Sequence, residues 1–306
     1  MLGIADIDTA DIEGIEEKEK EHPLQDRIRA EQIVQGQIFQ EWVVSPTSMK
    51  LMIYGNFSSL MVETSALSIF CTTLIKAFRP RKHYLCLVWF CGRHLEYDDG
   101  SDSDSSDEED DLDSSLYLGQ YEEDNYSSGT RQGVIKRMMR SLIAQLLCDY
   151  DFGPRNLLPP GVDPELIEEG HSLSQLRHLF GWLVRQLPEE ITLFCLVDGI
   201  FFYEREDFED PMLDVLGDIL ELTTSDDVLA SVKVLVTSPR PTSTVRVGFE
   251  DEDDSSDGAG ETKTSILSMD LLIPSHVDVS EERVDRNLGV IEDERAREGL
   301  AESNLT

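Results

Sequence analysis

A chain of 306 residues is long enough for one large α/β domain or two smaller ones, and its 40% hydrophobic content suffices for a sizeable core. Against 26 Lys and Arg stand 62 Asp and Glu, a net charge of −36 that repels phosphate backbones and anionic membrane surfaces at range. Direct nucleic-acid binding and membrane association are therefore not expected.

The first 22 residues are acidic and weakly apolar, which predicts a flexible arm. From Leu24 to Trp42, the positions Ile28, Ala30, Ile33, Val34, Ile38 and Trp42 recur at helical spacing and predict one amphipathic helix, ended by Ser45 and Pro46. KLMIY (50 to 54) reads as a strand, a loop follows Gly55, and a helix is expected over 65 to 78. HYLCLVWFC (83 to 91) is nearly continuous in apolar residues, as expected of a parallel strand covered on both faces. Residues 96 to 113 hold eleven acidic side chains and no basic one, so 96 to 130 is expected to be a disordered, solvated insertion.

Helices follow over 133 to 149 and 172 to 187, the second capped by Ser172 with Gln175 three residues on and closed by Pro188. ITLFCLV (191 to 197) is the third strand, a helix is expected over 211 to 222, and VKVLVT (232 to 237) is the fourth strand. A second acidic insertion spans 249 to 262, ILSMDLLI (266 to 273) is the fifth strand, and a charged tail runs over 275 to 306. Strand and helix in repeated alternation predict, over 23 to 274, one α/β domain with a doubly wound, mostly parallel five-stranded sheet and helices on both faces.

Two strand ends carry candidate chemistry. Gly55 opens a loop between the first strand and a helix, the layout of a phosphate-binding loop. Asp198 stands at the carboxyl end of ITLFCLVD, where open α/β sheets place their ligand crevice and where magnesium near a phosphate would need a carboxylate. With FQEWVVSPTSMKLMIYGN, LVWFCGRH, RSLIAQLL, LVDGI and VLVTSPRP in this order, the chain from about 28 to 273 resembles the STAND class of P-loop ATPases. More closely, it resembles the fungal NACHT-like group with a nephrocystin-type N-terminal domain. The resemblance implies a nucleotide site at Gly55 and Asp198, with Arg240 similar to the arginine that follows the fourth strand in active relatives.

The catalytic motif departs from that family. In G-x-x-x-x-G-K-[ST] counted from Gly55, Leu60 falls at the second glycine, Met61 at the lysine and Val62 at the hydroxyl residue. Met61 brings no charge to the phosphates and Val62 no oxygen to magnesium, so the expected cofactor is none. Gly199 follows Asp198 where active relatives commonly carry a further acidic residue, and Glu204 is the nearest replacement. A helix N-terminus near Thr64 or Ser65 could still offer N–H groups to an anion, with Glu63 beside it in opposition.

Simpler roles compete with each of these. Asp198 can cap a turn, and Gly55 can serve the turn alone. Cys86, Cys91 and His94 do not read as a zinc site, because Cys86 and Cys91 point to opposite strand faces. His171 and His178 lack an evident nucleophile. Cys71, Cys86, Cys91, Cys148 and Cys195, an odd number mostly in apolar runs, fit reduced thiols in a cytoplasmic protein. Ser101, Ser103, Ser105 and Ser106, set among acidic residues, suit acid-directed kinases, which would make the tract a tunable arm for a basic partner surface.

The sequence thus predicts a catalytically inactive P-loop NTPase-like domain that binds an unidentified protein partner or acts as a scaffold. Active STAND proteins append regulatory helices and a sensing repeat array, neither of which is seen here, so the resemblance implies a partner of full-length relatives. Two alternatives stand beside it: a weak ATP or GTP switch in which Asp198 holds magnesium, and an acidic nucleic-acid mimic that occupies basic proteins.

Overall fold

A computed structural model of the chain describes residues 7–57, 63–95, 123–154, 157–162, 172–204, 208–250 and 265–269, with backbone only at residue 7 and over 123–132. Five strands form one all-parallel sheet: β1 (Met49–Tyr54), β2 (Tyr84–Phe90), β3 (Thr192–Asp198), β4 (Ser231–Ser238) and β5 (Ile266–Ser268). Their spatial order is β2-β3-β4-β1-β5. The register aligns Tyr84 with Thr192, Thr192 with Ser231 and Met49 with Lys233.

The helices are α1 (Ile7–Glu17), α2 (Leu24–Gln32), α3 (Gln37–Val44), α4 (Ala66–Phe78), α5 (Glu123–Asp149), α6 (Leu173–Arg185), α7 (Glu209–Glu221) and the short α8 (Thr244–Val247). Strand side chains alternate between two cores because successive residues point to opposite faces. On one face Leu85, Leu87, Leu193, Val197, Val232 and Val234 pack with α5, α6 and α7. On the other, Leu51, Ile53, Cys86, Val88, Leu196 and Leu235 pack with α1 to α4. Phe194 centres the second core, stacked on Phe78 at 4.2 Å and edge-on to Trp42 at 5.6 Å. Burial on both faces explains why β2 to β4 read as unbroken apolar runs.

The exception within β4 is Lys233, fully buried, whose ammonium donates to the Thr47 carbonyl at 2.6 Å and so ties the α3–β1 turn to the sheet. At one edge of the sheet stands β2, and Gln145 of α5 covers it. The amide of Gln145 accepts from the Val88 N–H and donates to the Val88 carbonyl, both at 2.9 Å. A helix side chain thus stands in for a neighbouring strand.

Three expectations are corrected. The segment read as a flexible arm is helical over Ile7–Glu17, because Ile12 and Ile15 reach the second core and are buried there. The single helix expected from Leu24 to Trp42 is two, joined by a 3₁₀ turn over Ile33–Gln35, and Gly36 leaves helical backbone with ψ 132°. The insertion expected over 96–130 is helical backbone from 123, the start of α5, while 96–122 lies outside the described residues. Of the second acidic stretch, Phe249 is buried in the first core, and 251–262 lies outside the described residues, as do 270–273 of the fifth strand and the tail.

Candidate functional site

The chain leaves β1 for α4 on one face and leaves β2 and β3 for helices on the other, so its winding changes sense beside β1. Such a switch point is where open α/β sheets hold ligands, outside the carboxyl ends of the strands. Gly55 and Asp198 end β1 and β3, with β4 between them. Two successive β4 residues join them: the Ser238 carbonyl accepts from the Gly55 N–H at 2.8 Å, and the Thr237 hydroxyl donates to Asp198 Oδ1 at 2.5 Å.

Asp198 is 2% exposed. Its second oxygen accepts from the Ser68 hydroxyl at 2.6 Å. Burial pushes its carboxyl up to about 6, against the two hydroxyls, which pull the other way. Each hydroxyl is itself held: Ser68 Oγ accepts from the Ser65 N–H at 2.9 Å, and Thr237 Oγ1 from the Gly199 N–H at 3.4 Å. The carboxylate therefore closes a network between the first turn of α4 and the ends of β3 and β4, instead of facing an open crevice.

The N-terminus of α4 is likewise occupied. Ser65 is its cap, and its hydroxyl accepts from the Leu67 and Ser68 amides, while the Ser68 hydroxyl returns to the Ser65 N–H. This reciprocal box satisfies amides that an anion would otherwise use. The helix begins at Ala66, eleven positions beyond Gly55, whereas the motif counted from Gly55 puts its lysine and hydroxyl residues at Met61 and Val62. Leu60, Met61 and Val62 lie outside the described residues.

Gly55 has a reason of its own. A Cβ there would stand 2.4 Å from the ring of Phe57, which folds back against it and is 5% exposed. Asn56 takes the left-handed turn at φ 46° that makes this possible, and the Phe57 N–H donates to the Pro239 carbonyl at 3.0 Å. Arg29 of α2 closes over the turn, donating to the Gly55 carbonyl at 3.2 Å with its guanidinium 5.7 Å from the Phe57 ring centre.

Gly199 adopts φ 74°, a conformation open to glycine at little cost, which accounts for glycine where a second carboxylate was sought. Glu204 is engaged elsewhere, because its carboxylate accepts from the backbone amides of Ser243, Thr244 and Val245 and so caps α8. Arg240 is exposed, with its guanidinium 5.7 Å from the ring centre of Phe201. The structure brings Gly55 and Asp198 to one strand end and leaves Arg240 on the surface beside it.

The other candidate residues disperse. Cys86 belongs to the second core and Cys91 to the first, while His94 stacks on Trp89 at 4.0 Å. The five cysteines are free, and burial raises the thiols of Cys71, Cys86, Cys91 and Cys195. His178 is exposed on α6 and His171 lies outside the described residues. Among the described residues no helix is long and apolar enough to cross a membrane.

Ser68 and Thr237, which hold the two oxygens of Asp198, are not among the residues the sequence reading names. Their signal was present but faint: Ser65-x-x-Ser68 has capping-box spacing, and TS closes the fourth strand run. No family model, curated protein or solved structure matches the chain.

Proposed function

We propose that the chain is a non-hydrolysing α/β domain of P-loop NTPase type that acts as a protein-interaction or scaffold module in the cytoplasm. The observation that carries this reading is the closure of Asp198: both carboxylate oxygens accept hydroxyls from inside the protein, and the carboxylate is sealed from water. A magnesium ion would need that carboxylate facing a phosphate, with several of its own waters retained. The loop-then-helix unit at the carboxyl end of β1, beside the switch point, supports descent from a phosphate-binding design. Free and mostly buried thiols fit a reducing compartment.

The test is calorimetry with magnesium-ATP and magnesium-GTP at near-physiological salt, on the wild type and on Asp198→Asn. Absent or millimolar binding, unchanged in the variant, is expected. Micromolar binding that the variant loses would overturn the reading in favour of a nucleotide switch.

A further inference from the structure

Helix α1 sits in a groove whose charge is opposite to that of the molecule as a whole. Its inward side carries Asp8, Asp11, Ile12 and Ile15, spaced i, i+3, i+4 and i+7. Asp8 pairs with Arg79 and Glu16 with Lys76, both basic residues on or just beyond the last turn of α4. Asp11, itself 6% exposed, meets His94 Nε2 at 2.7 Å and the Arg93 guanidinium at 3.6 Å, in the turn after β2. Gly14 makes room for that guanidinium, since a Cβ there would stand 2.9 Å from it. Ile12 and Ile15 supply the apolar floor contact and join the second core.

Four basic groups thus line one helix-length of surface, in a chain with only 26 Lys and Arg against 62 acidic residues. Outside those two isoleucines and the close approach of Gly14 to Arg93, the described contacts of α1 with the groove are ion pairs and the Asp11–His94 hydrogen bond. The pairs at its two ends, Asp8–Arg79 and Glu16–Lys76, are partly exposed, hold weakly and are screened by salt, so the two isoleucines and the buried Asp11 are the anchors a competing helix has to replace. The net charge of −36 opposes every anion at range, so charge alone would select nothing. Selection comes from short-range fit: carboxylates in register with three cations and the His94 ring, and two branched apolar side chains between them.

We propose that the groove between α4 and the turn after β2 is a docking site for an acidic amphipathic helix of a protein partner, filled in cis by α1 and opened when α1 is displaced. The matching helix carries carboxylates at i, i+3 and i+8 and branched apolar residues at i+4 and i+7. This extends the interaction-module reading to a defined surface. It does not depend on whether nucleotide binds, so the calorimetric test and the one below fail separately.

The experiment uses the full chain with Ile12→Asp and Ile15→Asp, to release α1, and a fluorescent peptide with the sequence of residues 7 to 22. The expected result is that the peptide binds the double variant about tenfold or more tightly than the wild type. Adding Arg79→Glu should abolish that binding, and a scrambled peptide should not bind. No binding to a folded double variant, or equal binding of the scrambled peptide, would overturn the proposal. So would competition by inorganic pyrophosphate as effective as that by unlabelled peptide, which would mark a generic anion surface. If the double variant loses cooperative unfolding, native-state hydrogen exchange on the wild type decides. Amides of α1 exchanging about tenfold or more faster than those of β1, β3 and β4 support a displaceable helix, and equal protection overturns it.

Discussion

Asp198 holds a buried charge against hydroxyls instead of a cation. Its carboxyl is raised by burial from 3.8 to about 6, so the folded state takes up a proton more readily than the unfolded one. The contribution to stability is therefore full below pH ~3.8 and is lost as pH rises through about 6. A rise of that size corresponds to about 3 kcal/mol forgone at neutral pH, at roughly 1.4 kcal/mol per pH unit. Asp198→Asn keeps the shape: one amide atom accepts a hydroxyl and the other donates to one. The variant is predicted to be more stable than the wild type at pH 7.5 by about 1–3 kcal/mol, with the advantage vanishing near pH 4. Urea denaturation of both proteins across that range measures it. A wild type that is the more stable at pH 7.5 would mean that a cation answers the carboxylate.

At the scale of elements, what could be read ahead was what periodicity controls. The first four strands, the start of the fifth, the helices α4, α6 and α7 and the Ser172 cap of α6 lie close to where apolar runs and turn residues placed them. Helix α5, by contrast, begins ten residues before the helix expected over 133–149. Misreadings arose where a few side chains decide against the average. Helix α1 is acidic enough to pass for a solvated arm, yet Ile12 and Ile15 with four basic partners seat it. Gly36 broke a pattern whose apolar spacing continued through it. Gln145 offered no sign of its role, since a polar residue within a helix names no partner. Its removal provides a sharp test: Gln145→Ala leaves the Val88 N–H and carbonyl buried without partners, at about 1–3 kcal/mol for each group. A fall in unfolding free energy of about 2–4 kcal/mol is expected by urea denaturation, with a greater tendency to aggregate through the uncovered β2 edge. An unchanged midpoint would show that another group covers the edge.

At the scale of the molecule, a charge of −36 on 34.6 kDa works against compaction. Raising sodium chloride from about 0.05 M to 0.5 M shortens the screening length severalfold, and thermal unfolding should shift upward by several degrees. A downward shift would mean that attractive ion pairs such as those under α1 outweigh the general repulsion. The candidate site was legible at this scale and lost below it. Strand alternation and the switch point locate Gly55 and Asp198 at one end of the sheet. What those residues do there depends on Phe57, Ser68 and Thr237, whose roles arise only when distant segments meet.

The closed network around Asp198 also has a consequence in time. A carboxyl 2% exposed and held by Ser68 and Thr237 is cut off from the solvent that would take or give its proton. Its protonation must wait until the first turn of α4 parts from the ends of β3 and β4, so the exchange rate of that proton clocks the opening of the strand-to-helix junction.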